Sequence, residues 1–234
     1  MEHYTALSPY LKRRFGCKVY KLSLSAGCTC PNRDGTLGAR GCIFCSGSGE
    51  FAASGSASIP EQLEQAKYIL GKKAQGAKFI AYFQDFTNTY GTVSRLEPLF
   101  LAAIEAGDVV ALSIATRPDC LPEDILRMLS RLRARKPVFV ELGLQTIHDN
   151  TAQYIRRGYP LSVFDDAVQK LHALDIEVIA HQILGLPGET AVMMAETSRY
   201  LGSVHVDGVK LHLLHVLRGT DLAREYADGR IQML

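Results

Sequence analysis

Short apolar runs with a two-residue period alternate along this chain with longer stretches of helical period. The runs near residues 19–25, 79–85, 110–116, 138–145, 176–184 and 208–215 read as strands. Helix starts lie between them at Pro60-Glu61, at Pro122-Glu123-Asp124, and at Ser162 with Asp165 three residues on. In one helical stretch Ile125, Leu126, Leu129 and Leu132 share a face. Strands that alternate with helices pair in parallel, which predicts an α/β fold: a closed barrel, an open sheet, or part of a barrel.

The strands carry a second pattern. Val140, Leu142 and Leu144 oppose Glu141, Gly143 and Gln145; Val209, Leu211 and Leu213 oppose Lys210 and His212; Tyr20, Leu22 and Leu24 oppose Lys21, Ser23 and Ser25. His181 stands with Ile179 and Ile183, and Ser113 shares a side with Arg117. Helices are expected to cover the apolar faces, which turns the polar ones inward. A closed eight-stranded barrel fills its interior with branched apolar residues. Several strands contributing Glu, Gln, Lys, Ser and His instead describe a cavity for a polar ligand, at the carboxyl ends of the strands. A single such strand would more simply be a self-satisfied hydrogen-bond network.

Composition narrows the picture little. A chain of 234 residues with 47% apolar content suits one large core, and the reading is one domain over residues 1–234. No apolar run approaches the ~20 residues of a membrane span. A net charge of +2 names no partner. The basic clusters Lys12-Arg13-Arg14, Lys72-Lys73, Arg131 to Lys136 and Arg156-Arg157 are most simply solvated faces. The Gly/Ser/Ala stretch from Gly47 to Ser58 reads as a loop.

The cysteines carry the chemistry. Cys30, Cys42 and Cys45 lie on a glycine-rich loop leaving the first strand. Three thiolates there form an iron–sulfur ligand set one short of the four that hold an electron-transfer cubane, leaving one metal position open. Cys28 adds a fourth thiol, so a closed structural zinc site is an equal alternative on the cysteines alone. No signal-like segment precedes residue 20, which argues against disulfides and points to the cytoplasm.

Matching segments then run along nearly the whole chain. They are Cys30 to Gly35, Gly41-Cys42-Ile43-Phe44-Cys45, Phe83-Gln84 with Thr87-Asn88-Thr89-Tyr90, Glu141 to Gln145, Arg157-Gly158, His181 with Gly185 to Glu189, and His212 to His215 with Arg218-Gly219-Thr220. In this order the chain resembles the radical S-adenosylmethionine superfamily, in the branch of the elongator catalytic subunit and its YhcC-like subfamily. The resemblance implies a partial (β/α)6 TIM-like barrel of parallel strands with a cluster-binding loop after strand 1. It implies a [4Fe–4S] cluster on Cys30, Cys42 and Cys45. S-adenosylmethionine would chelate the free iron and be cleaved reductively to a 5′-deoxyadenosyl radical that abstracts hydrogen from an unknown substrate.

For the cofactor site the resemblance suggests Phe44 near the adenine, and Gln84, Thr87 and Asn88 toward the amino group. Glu141 and Gln145 would face the ribose, and Arg117 and Arg157 the carboxylate; Gly185 and His215 would complete the adenine side. His181, Lys210 and His212 are assigned to substrate, as catalytic candidates. Gly35, Gly38 and Gly41 are expected to take positive φ. Partners implied are a reductant such as flavodoxin or ferredoxin, and transfer RNA. The chain departs from the family in the eleven residues between Cys30 and Cys42, in Cys28, and in stopping at Leu234 without the usual carboxy-terminal extension. The rival readings are a nucleic-acid-binding module with a four-cysteine zinc site, and a non-catalytic S-adenosylmethionine binder.

Overall fold

The computed structural model describes residues 4–46 and 57–233, so most of the expected Gly47–Ser58 loop lies outside the described residues. A first helix, α1 (Leu7–Phe15), precedes six β/α repeats. These are β1 (Val19–Leu24), α2 (Ile59–Leu70), β2 (Lys78–Phe83), α3 (Val93–Ile104), β3 (Val109–Thr116) and α4 (Glu123–Arg133). They continue with β4 (Val138–Gln145), α5 (Asp149–Tyr154), α6 (Leu161–His172), β5 (Glu177–Leu184), α7 (Ala191–Ser203), β6 (Gly208–Leu213) and α8 (Asp221–Ala227). All six strands are parallel and pair in chain order, leaving β1 and β6 as the two edges.

The sheet is strongly curled. Lys21 on β1 and Lys210 on β6 both reach Glu141 on β4. In a flat sheet Lys21 would lie three strand spacings away, roughly 14 Å. Curling brings the first and last strands round a shared interior without closing it, the partial TIM-like barrel that the pattern and the resemblance implied.

Outward-facing Leu22, Ala81, Leu112, Val140, Leu142 and Val178 form the main core with the helices. Within it Phe83 and Phe100 pack edge to face with ring centroids 4.8 Å apart. Helix α2 opens on a capping box, in which the Ser58 amide donates to Glu61 Oε2 at 2.8 Å. Helix α6 begins at Leu161 with extended Pro160 before it, so Ser162 falls inside the first turn rather than at the cap. A separate cluster of Leu11, Val19, Ile80, Ala111 and Phe139 lets α1 plug the amino-terminal end of the barrel.

One expectation fails at the edge. Val209, Leu211 and Leu213 on the outer face of β6 remain 45–58% exposed. The next helix, α8, does not fold back over them; its Leu222 instead joins Ile43 on the cysteine loop. The basic run from Arg131 to Lys136 is spent locally: Arg131 pairs with Glu97, Arg135 with Glu105, and Arg133 donates to the Asp175 carbonyl.

Candidate active site

The cysteine loop is held by backbone bonds from Arg33 to the Cys30 carbonyl (2.8 Å) and from Gly41 to the Asn32 carbonyl (2.7 Å). Gly35 and Gly41 take positive φ as expected; Gly38 does not. The φ of +70° at Gly41 favours glycine, and a Cβ there would sit 2.9 Å from Arg33 Nε and displace the guanidinium. Arg33 in turn donates to the Cys45 carbonyl at 2.6 Å. Ile43 anchors the far end, packing with Ile155, Ile183, Leu186, Leu214 and Leu222 over the carboxyl ends of the strands.

Cys30, Cys42 and Cys45 face one cavity of about 190 Å³ at these strand ends. Phe44, Thr87, Arg117, Glu141, Gln145 and His181 also contribute to its wall. Among the described residues no three His, Cys, Asp or Glu are gathered to hold a single metal ion. A cubane presents separate iron corners, and three thiols lining one cavity fit it. Burial first, then the neighbouring Cys45 and Cys30, push the Cys42 thiol up to about 11, against the pull of Arg117.

Cys28 stands elsewhere. Its sulfur accepts from Arg95 Nη2 at 2.9 Å, and its side chain packs against the main core. Cys120 is buried beside Asp119, and Cys17 packs near α1. The four-cysteine zinc set therefore lacks its fourth member.

Several expected cofactor residues have other partners. Asn88 is fully buried, and its Nδ2 lies 3.2, 3.2 and 3.0 Å from the carbonyls of Phe83, Asp85 and Ala115. It locks the turn after β2 rather than facing the cavity, while neighbouring Thr87 does face it with a buried, unpartnered Oγ1. Arg117 gives Nε and Nη2 to Asp119 at 2.9 and 2.6 Å. Arg157 donates to the carbonyls of Tyr159, Leu144 and Thr146 at 3.0, 3.3 and 2.6 Å. Both arginines line the cavity, but these commitments replace the expected two-pronged carboxylate pairing. Gln84, Gly185 and His215 lie outside the cavity wall. Gln145 is aimed inward by a register shift at the end of β4 and its own φ of +70°.

Glu141 is the centre of a buried polar layer. Its Oε1 accepts from Lys21 and from Ser113 Oγ; its Oε2 accepts from His181 Nε2 at 2.8 Å and lies 3.7 Å from Lys210 Nζ. Three hydrogen bonds and the nearby Lys210 ammonium thus commit most of its acceptor capacity within the protein. Burial alone would raise its pKa; the His181 bond and the charges of Lys21, His181 and Lys210 outweigh this and hold it well below the usual carboxylate range. Burial lowers the pKa of His181 despite its carboxylate neighbour. His212 lies with its ring centroid 4.9 Å from that of His181, and burial with the charges of His181 and Lys210 pushes it down to about 4. Lys210 also donates to Tyr82 Oη at 3.0 Å.

Sequence reasoning missed Arg33, Asn32, Tyr159, Phe86 and Thr116. Phe86, Thr116 and Tyr159 reach the cavity. Asn32 bridges Cys42 Sγ (3.7 Å) and the Arg156 carbonyl (2.7 Å). Asn32 and Arg33 stand inside a matching segment, whereas Phe86, Thr116 and Tyr159 lie outside all of them and have no distinctive spacing of their own.

Comparison with known proteins agrees with this architecture. The Radical SAM superfamily profile matches residues 32–201. The protein YtqA of Bacillus subtilis is 43% identical over all of this chain and 73% of its own length. Protein YhcC of Escherichia coli is 38% identical over 94% of the chain and 71% of its own length. The tRNA uridine(34) acetyltransferase of Dehalococcoides mccartyi is 33% identical over 52% of the chain and 26% of its own length. The solved Elp3 of Methanocaldococcus infernus superposes on 92% of the chain with a TM-score of 0.69 at 19% identity, and the match spans half of that structure. The chain thus belongs to the Radical SAM superfamily, in the branch shared by the YhcC-like proteins and Elp3, and is an enzyme whose cofactors are a [4Fe–4S] cluster and S-adenosylmethionine.

Proposed function

We propose that Cys30, Cys42 and Cys45 hold the cluster, and that the enzyme uses it to act on a substrate group presented inside the barrel. The observation that carries this reading is the shared cavity: three thiols, the polar strand ends and His181 all face it. When bound and reduced, the cluster with S-adenosylmethionine supplies the hydrogen-abstracting 5′-deoxyadenosyl radical. The protein's part is to position that cofactor and exclude water. Phe44 offers a ring for the adenine, Gln145 donors and acceptors for the ribose, and Thr87 Oγ1 an unfilled partner for the amino group. His181 lines this cavity, with Lys210 paired beside it on β6 and the His212 ring next to its own, which makes the three the substrate-facing group. The single-domain reading of residues 1–234 is retained as part of this proposal.

A small reductant of the flavodoxin or ferredoxin class is the proposed electron source. A cytoplasmic setting, where thiols stay reduced, suits the six free cysteines. Transfer RNA is the proposed substrate, from the name of the acetyltransferase relative and the charge at the barrel mouth. There Arg40, Arg156 and Arg224 converge on one carboxylate, Asp221, leaving a surplus of positive charge beside the cysteine loop. The basic runs Lys12-Arg13-Arg14 and Arg156-Arg157 do not add to it as units. Arg157 is buried, and Lys12 to Arg14 sit on α1 at the opposite end of the barrel.

The test of the reaction is product analysis on protein prepared and reduced without oxygen. 5′-Deoxyadenosine and methionine are the expected products, formed slowly without substrate. Formation of S-adenosylhomocysteine alone would refute the proposal.

A further inference from the structure

Asn32 is buried on a loop whose following residues, 34–37, 39 and 40, are exposed. Its backbone carbonyl accepts from the Gly41 amide at 2.7 Å, which closes the loop immediately before Cys42. Its side chain turns the other way, to the segment after α5. There Nδ2 lies 2.7 Å from the Arg156 carbonyl and 3.7 Å from Cys42 Sγ. Gly158 makes the room: a Cβ at that position would sit 3.0 Å from Asn32 Oδ1, and its φ of +83° favours glycine. Arg156, which presents the carbonyl, takes a φ of +58°, uncommon for a residue with a Cβ. It is held there by its guanidinium, which donates to the Gly41 carbonyl at 3.2 Å and pairs with Asp221.

The chemistry of this contact changes when Cys42 binds iron. As a thiol, its Sγ is a donor to the Arg156 carbonyl, 3.8 Å away. As a metal ligand it is deprotonated and only accepts. Sulfur and carbonyl oxygen would then face each other as two acceptors. The Asn32 carboxamide carries two N–H groups, one for each of them. The same demand fixes which end of the carboxamide faces them, because Oδ1 in that place would meet two acceptors.

We infer that Asn32 is a positioning residue for the cluster, whose Nδ2–H donates to the Cys42 sulfur and raises the reduction potential of the bound cluster. The inference rests on the ligand set proposed above. In the one-electron reduction the external reductant loses an electron and the cluster gains it, with no bond made or broken at Asn32. The added negative charge spreads onto the ligand sulfurs, so an N–H donor there stabilises the reduced form more than the oxidised one. Asn32 lines a neighbouring surface cavity with Arg40, Gly41, Arg156 and Gly158, and not the wall of the cluster cavity. It therefore acts on Cys42 without taking up room needed by S-adenosylmethionine.

Redox titration of the cluster-loaded protein without oxygen, followed by electron paramagnetic resonance, tests it with Asn32→Leu, which keeps the size and removes the donor. The variant's potential should fall by about three- to ten-fold in the redox equilibrium constant, ~30–60 mV for one electron. The sign separates this role from a structural one. A loosened loop would admit water, which favours the more highly charged reduced form and moves the potential up. A second measurement needs no variant. With ¹⁵N in the side-chain amides of asparagine, pulsed resonance on the reduced cluster of the unaltered protein should show a ¹⁵N coupling. The other two asparagines do not compete, since Asn88 turns its Nδ2 to three carbonyls and Asn150 is exposed on α5. An unchanged or raised potential in Asn32→Leu, or no ¹⁵N coupling in the unaltered protein, would overturn the inference. Iron content of Cys42→Ala tells the two failures apart: iron retained there refutes the ligand set, whereas iron lost there with no ¹⁵N coupling refutes the role of Asn32 alone.

Discussion

Replacing Glu141 by glutamine isolates the energetics of the barrel interior. The substitution keeps the side chain's shape but removes the carboxylate that Lys21 and Lys210 share, in a residue with no solvent exposure. Removing one partner of a buried ion pair costs about 3–5 kcal/mol, because the partner charge is left uncompensated. For a chain of this size each kcal/mol shifts Tm by about 2–4 °C, so Glu141→Gln should lower Tm by roughly 6–20 °C. The loss should depend on pH with a definite sign. The folded pKa of Glu141 is depressed, so its contribution is complete above the unfolded value of about 4.3 and fades as pH falls below it. The gap between wild type and variant should stay constant from about pH 8 to about pH 6 and shrink in acid. Thermal melts followed by circular dichroism, on samples matched for cluster content, measure it, since bound cofactor also raises apparent stability. Adding Lys21→Met to Glu141→Gln should recover part of the loss, because it removes one stranded ammonium, with a coupling of about 0.5–3 kcal/mol. A Tm change under about 2 °C, or strict additivity of the two substitutions, would show that the layer is not electrostatically coupled.

Two further outcomes are expected. Alanine at Cys30, Cys42 or Cys45 should abolish iron incorporation, while alanine at Cys17, Cys28 or Cys120 should leave it; intact iron in Cys42→Ala, or its complete loss in Cys28→Ala, contradicts the ligand set. Transfer RNA binding measured at low and moderate salt should weaken steeply with salt, and Arg40→Ala should lower the magnitude of the log–log slope by about one; no binding even at low salt would remove RNA as the substrate.

Much of the fold was legible because side-chain alternation and helical period are local properties. The strand expected at 138–145 spans Val138–Gln145, and the one at 19–25 is Val19–Leu24. The short elements α1, α5 and α8 left no such signal, since their roles are to plug the barrel end or pack on loops. Exposure of the outer face of β6 was also hidden. Its apolar residues alternate like those of covered strands, and only the path of the following chain leaves them bare.

The sequence by itself determined which residue types the site contains and at which end of the sheet it lies. Three thiols on a loop after the first strand, and polar residues on one face of several strands, are consequences of order and period alone. Tertiary structure decided which of those residues are free. Cys28, two positions from Cys30, turns to Arg95. Asn88, next to Thr87, turns its Nδ2 to three carbonyls and leaves Oδ1 buried without a partner. Arg117 and Arg157 spend their donors on Asp119 and on backbone oxygens. Glu141 gathers partners from β1, β3, β5 and β6, none of which is its neighbour in the chain. Hydrogen-bond capacity and charge balance are settled by groups that meet only when the sheet curls, and sequence spacing holds no record of that meeting.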